Sequence, residues 1–494
     1  MCQECQRLGL PNCRPRNELV PRAISPVLRV RESLEPGDAH IPEADSVMSL
    51  NQRVKNNHDF NVSEYLSQVA QLPEGSLVGI TRRGDLSESS ALESQTRAVR
   101  RTVEEQSTIN SLSLCETIHI SQAKMTTFDP TEQHLLLHYV QHVSRALVVV
   151  NDDENPFLRD VLPLAMEVKS VRHALLALSA CHLCKAYPRF EDTLLRQHSL
   201  SLHFLKLDVQ SEKKMAHTLV ASLLLCLFGI CHGKSSKWIL HLYGAKALVD
   251  SHMQAAFEPP PLQSAIDLYD LICCKTRITC NKVPMARDKF LSPTCAGESH
   301  NIHPLFGVAR DLYQALESIN QLVSEKATKD IVRPADAFLS MKARNIQKSL
   351  NEWVAPTQVD HSSPQLIRDS IKAAEALRWT AIIRLHQVMG WPSSYQANQQ
   401  CFVQNILTAI SHIPPGSPVN GQLLLPLFIA GVTATRKTQR LQIDYRISLL
   451  ESNISMGNIA GAHQVLDLVW KHGYENKLNW EVFLQRDHPC VVLY

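Results

Sequence analysis

The chain has 494 residues, enough to bury one or more sizeable cores, and its 50 basic and 48 acidic residues leave a formal charge of +2, so no global field draws it to nucleic acid or to an anionic membrane. Glycine is scarce at 17 residues and aromatics make up 6 %, so the glycine-rich turns of a doubly wound sheet would be hard to build. The 14 cysteines are scattered and residues 1–20 lack the apolar core of a signal peptide, which fits a reducing compartment.

The first chemical signal is Cys2-Gln-Glu-Cys5, with Cys13 returning after seven residues. A two-residue gap between thiolates suits tetrahedral zinc. Three unligated thiols near a terminus would account for the same residues, and the chemistry of the spacing leaves both readings open. Arg7, Arg14 and Arg16, followed by Arg22, Arg29 and Arg31, could contact phosphates but bring no preformed helix to read base edges. Any DNA binding by this segment is expected to be weak, salt-sensitive and unselective.

Residues 17–128 are rich in Ser, Glu, Arg, Asn and Gln, carry prolines at 21, 26, 36, 42 and 73, and show no sustained apolar period, so a mostly disordered linker is predicted. A transient helix over Ala91 to Gln106 would lack the a/d heptads of a dimer seam. Homodimer or heterodimer formation therefore stays open.

From residue 129 to 494 the pattern turns helical. Asp129-Pro130 followed by Glu132 supplies an N-cap, a proline at the first helical position and a capping-box carboxylate. Leu136, Tyr139, Val140, Val143 and Leu147 recur at spacings of three and four, predicting a helix over 131–150. Further helices are predicted over 157–165, 170–187, 191–207, 216–231, 238–250, 262–274, 303–323, 340–353, 363–389, 399–410, 423–435, 439–452 and 458–471. The apolar run Leu219 to Cys231, interrupted by Ser222 and Gly229, falls short of the roughly 20 residues that span a bilayer and reads as a buried helix. Strand alternation is nearly absent and no fixed repeat is visible, so the fold class is all-α, an irregular multi-helix domain behind a mostly disordered N-terminal segment.

Cys2-x-x-Cys5-x-Arg7-Leu-Gly-Leu-x-x-Cys13 resembles the second half of the fungal binuclear zinc cluster, whose full form holds two zinc ions with six cysteines. The resemblance implies zinc at Cys2, Cys5 and Cys13 only if the first half, with its groove-reading helix, is supplied. Three thiolates leave even one tetrahedral zinc a ligand short. Because all three cysteines are retained, an unread upstream exon is the expectation, in preference to a lost half-module. The body resembles the fungal-specific transcription factor domain: Asn155-Pro-Phe-Leu-Arg-Asp-Val-Leu-Pro-Leu-Ala-Met166, Val171-Arg-His-Ala-Leu-Leu-Ala-Leu-Ser-Ala-Cys-His-Leu183, Leu223-Leu-Leu-Cys-Leu-Phe228, Trp238-Ile-Leu-His-Leu-Tyr-Gly-Ala-Lys-Ala-Leu248, Leu425-Pro-Leu-Phe-Ile-Ala-Gly431 and Val465-Leu-Asp-Leu-Val-Trp470 follow in order. What the resemblance implies is a nuclear regulator of transcription by RNA polymerase II, with DNA and co-regulators as partners, no membrane, and residues 1–16, 17–128 and 129–494 as cluster remnant, linker and regulatory domain. The alternative is a helical co-regulator derived from that family that does not itself bind DNA.

Other patterns carry plainer readings. His134, His138 and His142 fall on one helix face at metal-chelating spacing, but that face lies opposite the apolar stripe and is expected to be solvated. Cys181-His-Leu-Cys184 lies inside a helical stretch, so core cysteines are expected there, not a redox pair. Gly229 to Ser235 resembles a phosphate loop one residue short and reads as a helix end closed by glycine. No nucleophile elbow, zinc-protease helix, dinucleotide fingerprint or kinase set occurs, and the chain is not expected to be an enzyme.

Overall fold

A computed structural model describes residues 128–494 apart from 151–153, 211–214, 235, 253–259, 281, 287–301, 329–335, 357–362, 392, 477–479 and 488–490. The expectations for residues 1–16 and, but for its last residue, for 17–128 lie outside the described residues. Among the described residues the structure is all helical, with a single antiparallel bridge, His303 to Gly307, and no strand. No helix there is long and apolar enough to cross a membrane.

The first helix, α1 (Pro130–His138), begins where the sequence places it. Asp129 Oδ1 accepts from the Glu132 amide at 2.9 Å, and Pro130 occupies the first turn, so orphan donors are satisfied or absent. The expected capping box is only half made: the Glu132 carboxylate accepts instead from Gln197 Nε2 at 3.4 Å. The helix passes into a π-helical stretch, Tyr139–Val143, and one last turn, Ser144–Ala146. The Ser144 amide donates to the Tyr139 carbonyl, five residues back, and Tyr139, Val140 and Val143 are all buried. Residues 147–150 leave the helix, contrary to expectation. Val148-Val149-Val150 is a β-branched run that is stiff in a helix, and the Val149 amide donates to the Pro304 carbonyl at 2.8 Å.

A π turn, Phe157–Val161, leads into α2 (Leu162–Glu167), followed by α3 (Lys169–Cys184), α4 (Glu191–Gln210), α5 (Met215–His232), α6 (Trp238–His252) and α7 (Pro260–Arg277). After these come α8 (Arg310–Thr328), α9 (Asp336–Glu352), α10 (Pro364–Met389), α11 (Ser393–Ser411), α12 (Leu424–Thr433), α13 (Lys437–Ile454), α14 (Gly457–Asn476) and α15 (Trp480–Asp487). The helix expected from His303 starts only at Arg310. Pro304 lacks an amide donor and Gly307 sits at φ 61°, so Ile302–Ala309 forms a tight turn closed by two His303–Gly307 backbone bonds.

Two helices form the centre. α5 packs on α3, α6, α7 and α14, and its Leu219–Phe228 stretch is buried on all sides, as the apolar run predicts. α12 packs on α10, α11, α13 and α14, with every residue from Leu424 to Ala430 buried. Helix α14 touches both, and it approaches α5 so closely that a Cβ on Gly457 would lie 2.3 Å from the Cys231 carbonyl oxygen. Only glycine fits there. The longest helix, α10, has a cap at each end. Ser363 Oγ accepts from the Leu366 amide at 3.2 Å, Pro364 opens the first turn, and Gly390 closes the helix at φ 63°.

Candidate functional site

Cys2, Cys5, Cys13, Arg7, Arg14 and Arg16 all lie outside the described residues. Within the helical body, each pattern weighed in the sequence has a structural explanation. Cys181, Cys226, Cys231, Cys273 and Cys274 are buried, whereas Cys184, also expected in the core, is only half-buried; burial pushes all six thiols up, Cys181 to about 12, so none is poised as a thiolate. Gly233, at φ 72°, closes α5, and its amide donates to the Gly229 carbonyl. Lys234 lies 3.6 Å from Glu191 on the surface.

The histidine face departs from expectation. His134 and His142 are exposed, but His138 is half-buried and its Nε2 lies 2.9 Å from His182 Nδ1. His182 Nε2 lies 2.8 Å from the Ile454 carbonyl, which can only accept, so that nitrogen carries the proton. His182 Nδ1 then accepts from His138 Nε2. Burial, followed by the neighbouring His182, His142 and His134, lowers the His138 pKa to about 3, so both rings are neutral near pH 7. The pair ties α1 to α3 and to the end of α13. Sequence periodicity missed it because the partner lies 44 residues away.

A second histidine does the reverse. On α14, His463 Nε2 lies 2.8 Å from Asp444 Oδ1 of α13, and Nδ1 lies 3.5 Å from Glu451 Oε2. Burial works against its charged form, but the hydrogen bonds to Asp444 and Glu451 and the charges of Asp444 and Asp467 outweigh it and raise its pKa. Asp444, His463 and Asp467 offer ligand atoms within 4.8 Å of one another, a spacing compatible with a cation. Both ring nitrogens already have carboxylate partners, so an ion-pair network accounts for the geometry.

The third arrangement is a cavity of about 30 Å³ between the end of α1, α7, the 305 turn, the 3₁₀ turn Pro418–Gln422, α13 and the start of α14. Its walls are Val148, Leu271, Leu305, Leu424, Ile454 and Ile459, together with Lys275, Asn420, Gln422, Asn458 and Tyr494. Lys275 is 4 % exposed, and among the described residues neither a carboxylate nor a hydrogen-bond acceptor meets its ammonium. Its contact is the Tyr494 ring, 5.0 Å from Nζ to centroid. Burial lowers its pKa from 10.5 to about 8. In the sequence Lys275 is a cation at a helix C-terminus, a position that favours Lys in any helix, so nothing marked it.

Residues 134–493 match the model of the fungal specific transcription factor domain. No curated protein and no solved structure matches the chain.

Proposed function

The chain belongs to the fungal specific transcription factor domain family, and from that membership we propose that it is a nuclear regulator of transcription by RNA polymerase II whose helical body is the regulatory domain. The single observation that carries the proposal is the extent of the match, residues 134–493, which spans almost all of the described helices. The all-helical architecture supports the same reading.

The DNA-facing part is assigned to the N-terminal segment. Cys2, Cys5 and Cys13 would hold zinc, and Arg7, Arg14 and Arg16 would contact phosphates. Three thiolates leave one tetrahedral zinc a ligand short, so no groove-reading step is assigned to these residues alone. A second reading is that the chain is recruited to promoters by an intact partner, a paralogue or a co-regulator.

Chromatin immunoprecipitation of the full chain, with and without residues 1–16, tests both. Promoter occupancy that is lost with residues 1–16 is the expected result. Occupancy that survives the deletion transfers the assignment to recruitment by a partner, and no promoter occupancy by either form overturns the regulatory reading.

A further inference from the structure

An imidazole nitrogen can ligate a metal only while it keeps its lone pair, and the bond made by the other nitrogen of the ring decides which one does. On α3, His182 Nε2 donates to the Ile454 carbonyl at 2.8 Å, so the lone pair sits on Nδ1 and the ring is fixed in orientation. Metal-ligating histidines are commonly held in this way, by a backbone carbonyl on the far N–H. His138 Nε2, on α1, meets that lone pair at 2.9 Å. His142, in the π-helical stretch that continues α1, places its ring centroid 4.8 Å from that of His138, and its charge acts on both His138 and His182. Three imidazoles thus gather at one solvent-facing spot, where their charged forms would repel one another. A shared cation turns that proximity into an attraction.

We propose that His138, His142 and His182 bind a divalent cation of the zinc type, with His138 Nε2 and His182 Nδ1 as inner ligands, His142 as the third and water completing the shell. The ion takes the place of the proton now shared by the inner pair, and His138 carries its proton on Nδ1 instead, so both rings stay neutral. With Zn–N bonds of about 2.0–2.1 Å, tetrahedral ligands stand about 3.3–3.4 Å apart, so the inner pair has to open from 2.9 Å by only roughly 0.4–0.5 Å. His142 is exposed and free to turn onto the ion, whereas the ring of His134 is stacked on Phe190, 5.8 Å between centroids. The donor set selects the ion. Imidazoles suit zinc, copper and nickel, while magnesium and calcium take oxygen ligands, and among the described residues no carboxylate is among the groups that shift either inner ring. The proposal goes beyond the regulatory reading, because the site lies in the helical body and does not depend on zinc at Cys2, Cys5 and Cys13.

The test uses the purified full chain in solutions of buffered free Zn2+, so that zinc taken up by cysteines elsewhere does not alter the free concentration. Diethyl pyrocarbonate acylates imidazole nitrogens that keep an accessible lone pair, and mass spectrometry reads each histidine separately. At free zinc about ten times Kd, labelling of His142 should fall about tenfold by mass action, while that of exposed His412 should not change. Magnesium at the same concentration is expected to protect neither. In His182→Gln, which removes an inner ligand, half-protection of His142 should need about tenfold more zinc or greater. Labelling of His142 that zinc leaves unchanged, equal protection by magnesium, or an unaltered zinc dependence in His182→Gln would each overturn the proposal. The wild-type measurement decides it even if that variant does not fold.

Discussion

On α10, Arg384 is 2 % exposed and its charge is paired: Nη1 donates to Glu481 of α15 and to Gln387, and the guanidinium lies 5.2 Å from the Trp480 ring centroid, although Nε is buried without a partner among the described residues. On α7, Lys275 is about as deeply buried and likewise lies over an aromatic ring, but no carboxylate reaches it among the described residues. The first arrangement pins a C-terminal helix to the longest helix of the fold. The second holds a charge against an aromatic ring alone, with no carboxylate from another element among the described residues. Burial alone therefore does not say what a cation is for; its partners do.

The largest expected effect breaks the matched pair. Glu481→Ala leaves Arg384 buried and uncompensated, and because Glu481 is itself partly exposed, a loss of about 2–3 kcal/mol is expected, at the low end for a buried pair. Urea denaturation of the full chain measures it, and a loss no larger than that of a surface substitution would erase the contrast with Lys275.

Lys275→Met should act in the opposite direction. Methionine keeps much of the stem's packing and removes the unpaired charge, so a gain of about 1–2 kcal/mol at pH 7 is expected, read from the shift in urea midpoint. Destabilisation would mean that the ammonium has a structural partner. The pH dependence sharpens the same point. The folded-state pKa of Lys275 is about 8, below its ordinary value of 10.5, so between these values the unfolded chain binds more protons and wild-type stability rises with pH. The advantage of Lys275→Met should therefore be constant below about pH 8 and shrink as pH approaches 10.5.

The smallest effect concerns His463. Its folded-state pKa is raised, so its contribution is fully present below the ordinary histidine value of 6.5 and is lost as pH climbs through the folded value. The network is partly exposed, so about 0.5 kcal/mol is expected, measured as the pH-dependent part of the difference between wild type and His463→Gln. A difference independent of pH would show that the ring acts by packing alone.

The helical class and the order of the main helices were legible because apolar residues recur at three and four and because the punctuation is explicit, as at Ser363-Pro364 and Gly390 around α10. Boundaries failed where local chemistry overrode periodicity, at Val148–Val150 and at Pro304–Gly307. Helix α15 was missed because eight residues give too few turns for a period to show. The cavity was not legible at all. Lys275 owes its burial to Leu305, Asn458 and Tyr494, which lie far along the chain, and His138 owes its neutrality to burial first and then to His182. The polar sites of this fold depend on which helices meet, and pattern within one helix carries little of that information.

The central claim is that this helical body acts on transcription, and tethering tests it most directly. The full chain is fused to a heterologous DNA-binding domain and placed before a reporter in a fungal host. The account expects a several-fold change in reporter output, up or down, relative to the DNA-binding domain alone. Output indistinguishable from that control, with the fusion folded and occupying its site, would contradict it.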